Sequence, residues 1–268
     1  MLQKISDQIR GQLVETSHNC HIPHLGGCLS CVDILVALYW GILNIDPQEP
    51  NKQGSDKFIL SKGHGAHALF TSLAFRGFFD TRLLAGYGAL GNPLGEHPSP
   101  NCVPGVDIAT GSLGHGLSFA LGMALAAKLK HEQQKFVVLM GDGEINEGSV
   151  WEAALFAPMH QLNNVITIID FNKWQATGKS AEVMSLESIS DKWQAFGWET
   201  MNVDGHDMDQ LLSTLNLALK VTDKPVAIVA NTIKGKGISF MEDDNNWHYR
   251  IPSSDEVILS KKELGLLK

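Results

Sequence analysis

Read for the spacing of apolar positions alone, the chain switches between two periods. Residues 3–17 place apolar side chains at helical intervals with charged ones between them, the pattern of an amphipathic helix. Gly26-Gly27 punctuates the chain, and CVDILVALYWGIL (31–43) predicts a second, mostly buried helix. KFILS (57–61) has the length and composition of a short strand, and HGAHALFTSLAFRG (64–77) returns to helical spacing. Residues 78–111 are rich in Gly and Pro and lack periodicity. A stretch of that length inside a compact domain is usually functional or holds short elements. LGHGLSFALGMALAAKLK (113–130) predicts a long helix of small residues, and FVVLM (136–140) is the clearest strand. A turn at GDGEINEG (141–148) leads to a helix at 150–161 and a strand at VITIID (165–170). A short helix at 187–196, a strand at 198–203, a helix at 207–220 and a strand at 225–232 complete the alternation. After Gly235 the alternation fades, and the Leu-rich end predicts a small capping element.

Strands alternating with helices predict an α/β fold, a parallel sheet with helices on both faces. The crossover from strand 136–140 to strand 165–170 is expected to be right-handed. No repeat interrupts the pattern, so residues 1–268 are expected to form a single domain, long enough to bury a good core. Charge then narrows the function. With 21 basic against 29 acidic residues the net charge is −8, which argues against broad nucleic-acid binding. Four cysteines do not make a disulfide scaffold, so a reducing, cytoplasmic location is expected. Residues 1–15 have no apolar core of a signal peptide. The longest apolar runs fall far short of a membrane span.

Three stretches imitate known sites. SHNCHIPHLGGCLSC (17–31) holds His18, His21, His24, Cys28 and Cys31. A structural zinc site needs four ligands converging tetrahedrally. Pro23 breaks the helix that His18 and His21 share, and Cys28 and Cys31 begin a buried helix where free cysteines behave as small apolar residues. Zinc is therefore the weaker reading. ATGKS (176–180) ends like a phosphate-binding P-loop, but the required first glycine is Lys173. GHGAHA (63–68) fits the loose dinucleotide fingerprint, but no strand ending in an acidic residue follows at the right distance.

The informative stretch runs from 141 to 178. Asp142 follows one buried strand directly and Asn172 stands just past the next, one strand–helix–strand crossover away. Ligands of open parallel sheets bind beyond the carboxyl ends of the strands, so the topology brings one carboxylate and one amide carbonyl to the same crevice. That pair suits Mg²⁺, which takes one or two such protein ligands and completes its shell with water and phosphate oxygens. Either residue alone would be read as a helix cap or a turn; together, at this spacing, they favour a metal.

GDGEINEGSVWEAAL followed by an Asn-containing D-x-N closing the next strand resembles the thiamine-diphosphate enzymes, and transketolase in particular. LSKGHGAHAL (60–69), GEHPSP (95–100), GVDIATGSLGHG (105–116) and TIKGKGISF (232–240) extend the resemblance from about His24 to His248. It is to the N-terminal, diphosphate-binding region only, as in the N-terminal subunit of a split transketolase. The resemblance implies that Asp142, Asn172 and the backbone carbonyl of Trp174 bind Mg²⁺, or Ca²⁺ or Mn²⁺ in its place. It implies that His64, Gly111, Ser112, Leu113, Asp142, Gly143, Glu144, Asn172 and His248 bind thiamine diphosphate. His24, His97 and His248 are implied as the catalytic, substrate-facing histidines, and Glu147 and Glu152 are implied to lie near the dimer interface. Two departures touch the expected pocket or its rim: Pro23 where the family usually has Gly, and His115 where Gln is usual.

The resemblance also implies a missing half. The glutamate that activates the cofactor belongs to a pyrimidine-binding domain for which no segment is found. None of Arg10, Arg76, Arg82 and Arg250 sits in a matched motif. The expected partner is a C-terminal subunit carrying that domain, in a heterotetramer of two chains of each kind, with the single chain inactive alone. The expected reaction moves a two-carbon ketol unit from a ketose or ketose phosphate to an aldose. The alternatives are another thiamine-diphosphate carboligase or a 2-oxo acid dehydrogenase α-type subunit.

Overall fold

The computed structural model describes residues 1–185 and 188–267. Five strands form one sheet: β1 (Lys57–Leu60), β2 (Phe136–Gly141), β3 (Val165–Phe171), β4 (Glu199–Asp204) and β5 (Val226–Asn231). Their order is β1-β2-β3-β5-β4, and every pairing is parallel. The α/β architecture expected from the alternation is the one observed.

The strand period of two sends neighbouring side chains to opposite faces. Val137 and Leu139 of β2 join Ile166 and Ile168 of β3 in one core, while Val138 and Met140 join Val165 and Ile169 in another. The first core is covered by helices Leu2–Cys20, Ala66–Arg76 and Met208–Lys220, the second by Gly116–Leu129, Gly148–Met159 and Ile189–Ala195. Burial on both faces explains why the central strands read as continuous apolar runs.

Several boundaries differ from the sequence reading. The helix expected at 31–43 is observed over residues 32–42, as Val32–Ala37 running into a π-helical turn at Leu38–Ile42, and a separate short helix, Leu25–Ser30, precedes it. Gly26 and Gly27 lie inside Leu25–Ser30 rather than acting as a break before a helix, and a Cβ on Gly26 would press on Lys234 at 3.1 Å. The helix expected from 113 begins at Gly116. Residue 187, where a short helix was expected to begin, lies outside the described residues; the helix runs Ile189–Ala195. The tail holds more order than expected, with a 3₁₀ turn at Asn245–His248 and a helix at Ser254–Glu263. A Ser253–Glu256 capping box starts that helix. Among the described residues, no helix is long and apolar enough to cross a membrane.

Candidate active site

The loops leaving the carboxyl ends of β1, β2, β3 and β5 meet around a cavity of about 360 Å³, within the size range of small-molecule sites. Asp142 leaves β2 and Asn172 leaves β3, and both line it. So do His24, His64, His97 and His248, together with Gly111, Leu113, Gly143, Glu144 and Trp174. Every implied site residue except Ser112 therefore converges on one place. Ser112 is exposed and lies between Gly111 and Leu113, which face the cavity, so its side chain is not among the lining groups.

Burial sets the electrostatics. Asp142 is 1% exposed; it accepts hydrogen bonds from Gly143 N (2.9 Å) and Ser180 Oγ (2.8 Å). Burial nevertheless pushes its carboxyl up to about 6. The Asn172 side-chain oxygen accepts from Trp174 N at 3.1 Å, which turns the chain back toward the cavity. A buried carboxylate whose charge two neutral donors do not offset, beside an amide oxygen, is an all-oxygen donor set that fits a hard divalent cation. Ser180 sits in a short helix, Ser180–Val183, that the sequence reading did not anticipate.

Glu144 also lies in the cavity wall, but its carboxylate is spent on the fold. It accepts from Ser61 Oγ, from Gly114 N at 2.9 Å and from Gly141 N at 3.2 Å. Three segments are stapled by one side chain. Next to this staple, a Cβ on Gly63 would lie 2.5 Å from Gly111 N, so the two loops touch through backbone alone.

The four imidazoles form one cluster. His24 lies 5.8 Å from His64, 6.3 Å from His97 and 5.0 Å from His248, ring centre to ring centre. Burial, reinforced by neighbouring positive groups, lowers His24, holds His64 well below the ordinary histidine range and brings His248 to about 3. These three rings are thus neutral near pH 7, each able to donate one hydrogen bond and accept another. His24 adopts the left-handed region at φ 67°, and its N–H donates to the His248 carbonyl at 2.7 Å.

Two lysines belong to the site that sequence reasoning did not single out. Lys62, buried after β1, bonds Asp170 at 2.5 Å and the Gly27 carbonyl at 2.8 Å. Ser30 and Thr232 also donate to Asp170, so this carboxylate is fully engaged under the cavity floor. Lys234, after β5, bonds Asn245 Oδ1 at 2.6 Å and approaches His248 Nδ1 at 3.2 Å. Burial and the Lys62 charge bring Lys234 down to about 8. The available signals were a lysine within three residues after each of two apolar strands and an aspartate closing VITIID.

The zinc-like cluster disperses. His18 bonds the Pro252 carbonyl and Ser254, His21 is an exposed left-handed helix end, and only His24 reaches the cavity. Cys28 and Cys31 are wholly buried in the core, and burial pushes their thiols up to about 11 and 12. Among the described residues no three His, Cys, Asp or Glu side chains come together as a metal site. His115 is exposed and bonds the Leu113 carbonyl rather than entering the cavity. Glu147 lines the cavity; Glu152 lies in a separate groove with Leu121 and Phe156.

Comparison with known proteins identifies the family. Residues 2–268 match the family "Transketolase, thiamine diphosphate binding domain". The chain is 40% identical over 264 residues to an apulose-4-phosphate transketolase subunit of Phocaeicola vulgatus, covering 98% of this chain and 94% of that one. It is 42% identical over 241 residues to the 6-deoxy-6-sulfo-D-fructose transketolase subunit SqwG of Clostridium sp. (strain MSTE9), covering 90% and 88%. The solved transketolase of Campylobacter jejuni superposes with a TM-score of 0.93 at 29% identity, over 99% of this chain and 43% of that one. The chain belongs to the transketolase family of transferases, of which it carries the thiamine diphosphate binding domain.

Proposed function

We propose that residues 1–268 form a single diphosphate-binding domain that works as the N-terminal subunit of a two-chain transketolase. The reaction transfers a two-carbon ketol unit from a ketose or ketose phosphate to an aldose. The observation that carries this reading is the meeting of Asp142, Asn172 and four histidines at the carboxyl ends of one parallel sheet.

Bound in this cavity, thiamine diphosphate supplies the electron sink for breaking a carbon–carbon bond next to a carbonyl. Asp142, Asn172 and the Trp174 carbonyl would hold Mg²⁺, Ca²⁺ or Mn²⁺ against the diphosphate. His64, His248 and the backbone at Gly111, Leu113 and Gly143 would hold the diphosphate itself, while Glu144 keeps its enclosing loops together. His24, His97 and His248 face the substrate. A neutral imidazole there bonds a sugar hydroxyl or carries a proton to or from an oxygen.

The partner is proposed as a C-terminal transketolase subunit that supplies the pyrimidine-binding domain, in a heterotetramer of two plus two chains. Two relatives of similar length are named as subunits, and full-length human transketolase is matched over only 39% of its length. The helices Gly116–Leu129 and Gly148–Met159 support an interface, since Phe119, Leu155 and Met159 expose apolar side chains there (51%, 60% and 82%). All four cysteines are free thiols, in keeping with a cytoplasmic enzyme. The two relatives are named for different sugars, a phosphate and a sulfonate, so the donor is left to experiment.

The test is co-expression with the C-terminal partner and assay of two-carbon transfer across a panel of ketoses. Transfer that requires both chains, thiamine diphosphate and a divalent cation is expected. Decarboxylation of a 2-oxo acid with no transfer from any ketose would replace this reading with the dehydrogenase one. Robust transfer by the single purified chain would remove the partner.

A further inference from the structure

A second buried ion network lies behind the loop that follows β5. Asp33 accepts from Arg10 Nη1 at 3.1 Å and from Arg10 Nη2 at 2.6 Å, and both side chains are almost completely enclosed. His206, in the turn after β4, places Nδ1 2.9 Å from Asp33 Oδ2. Its other nitrogen, Nε2, receives the backbone N–H of Ile233 at 2.8 Å. Because Nε2 accepts, Nδ1 carries the proton and donates to Asp33. Burial alone would raise the Asp33 carboxyl, but His206 and Arg10 outweigh it and hold it at about 2, so it stays charged and fixes the ring. None of Arg10, Asp33 and His206 lines the cavity.

What the ring holds is the start of the Lys234 loop. Lys234 follows Ile233 directly and carries its ammonium to Asn245 and His248. The backbone beyond has little freedom to compensate. Gly235 stands at φ 80°, where an added Cβ would meet Met241 O at 2.1 Å, and its N–H is taken by the Gly26 carbonyl at 2.9 Å. On the near side, a Cβ on Gly205 would strike Thr232 at 2.4 Å, so the β4 turn and the β5 loop are pressed together.

We infer that His206 is a positioning residue for the cavity: its Nε2 holds the Ile233 N–H and so sets where Lys234 presents its ammonium. The ligand-facing part of this inference rests on the reading of the cavity as a diphosphate site, because an ammonium at that place serves an anionic group. The bond to Ile233 itself does not depend on that reading.

The full chain is compared as wild type, H206N and H206Q. An asparagine amide reaches Asp33 but falls short of Ile233, whereas a glutamine carbonyl extends to where Nε2 stood. In H206N the backbone amides of 232–237 are expected to exchange with solvent about tenfold faster or more, while β2 and β3 keep their protection. In H206Q most of that local protection returns. Magnesium pyrophosphate, the probe for the diphosphate end, is expected to bind H206N about tenfold more weakly in titration calorimetry, with most of the loss recovered in H206Q. Unchanged exchange at 232–237 in H206N overturns the inference, and so does an equal loss in both variants or a loss spread over the whole sheet. A wild-type chain that takes up no magnesium pyrophosphate overturns the diphosphate reading, and the exchange result then decides the His206–Ile233 link by itself.

Discussion

Asp142 and His67 are both buried charge-bearing types, yet only one has an evident use for its burial. Asp142 faces the cavity with oxygen lone pairs to spare. Asp142→Ala is expected to weaken divalent-cation-dependent thiamine diphosphate uptake by at least about 100-fold, read by calorimetry on the assembled enzyme. His67 lies wholly buried against Tyr87, and neither ring nitrogen has a hydrogen-bond partner among the described residues. Burial brings it to about 3. Below its ordinary value near 6.5 the unfolded chain takes up a proton that the folded chain refuses. Stability therefore falls as pH drops from about 6.5 toward 3, by up to about 1.4 kcal/mol per pH unit for this one group. His67→Leu, of similar volume, should flatten that fall in thermal melts between about pH 6 and pH 4. Asp142 and Asn172 were legible because each stands at a fixed place after an apolar run. Lys62, Asp170 and His206 were less so, since their partners come from segments distant in sequence, and only the packed sheet brings them together.

The elements that build the cavity are turns more than helices. The 3₁₀ turn Gly63–Gly65 meets the backbone of Thr110 and Gly111 so closely that a methyl group has no room. Gly63→Ala is expected to cost about 1–3 kcal/mol in chemical unfolding of the chain and to weaken cofactor uptake with it. Gly122, inside the helix Gly116–Leu129, meets nothing within reach of an added Cβ. Gly122→Ala should be neutral or stabilise the isolated chain by up to about 1 kcal/mol, which separates a packing glycine from an incidental one. The central strands were legible within a residue or two because parallel strands buried on both faces leave unmixed apolar runs, while the edge strand β4, with its mixed sequence, was placed by its position in the alternation. The helix at 31–43 was legible too, but the short helix before it, Leu25–Ser30, was not, because Gly26-Gly27 reads as punctuation although these glycines sit inside that helix, against Lys234 and His64.

At the scale of the whole molecule, the parallel sheet offers its carboxyl edge to the site and leaves the Gly116–Leu129 and Gly148–Met159 helices with apolar residues in solvent. Leu155→Glu places a charge on that face without touching either core. It is expected to reduce assembly with the partner subunit by about tenfold or more in sedimentation velocity, with the unfolding midpoint of the chain itself little changed. Unaltered assembly would move the interface elsewhere. The His24 N–H resting on the His248 carbonyl carries a different consequence, one for the order of synthesis. A growing chain that has emerged past Asn172 already contains both strands whose ends carry Asp142 and Asn172. The imidazole cluster cannot close until residue 248 has left the ribosome. Asp142 and Asn172 are thus synthesised before the last ring of the cavity wall, and a ribosome paused before β5 has yet to supply the residue on whose carbonyl His24 rests.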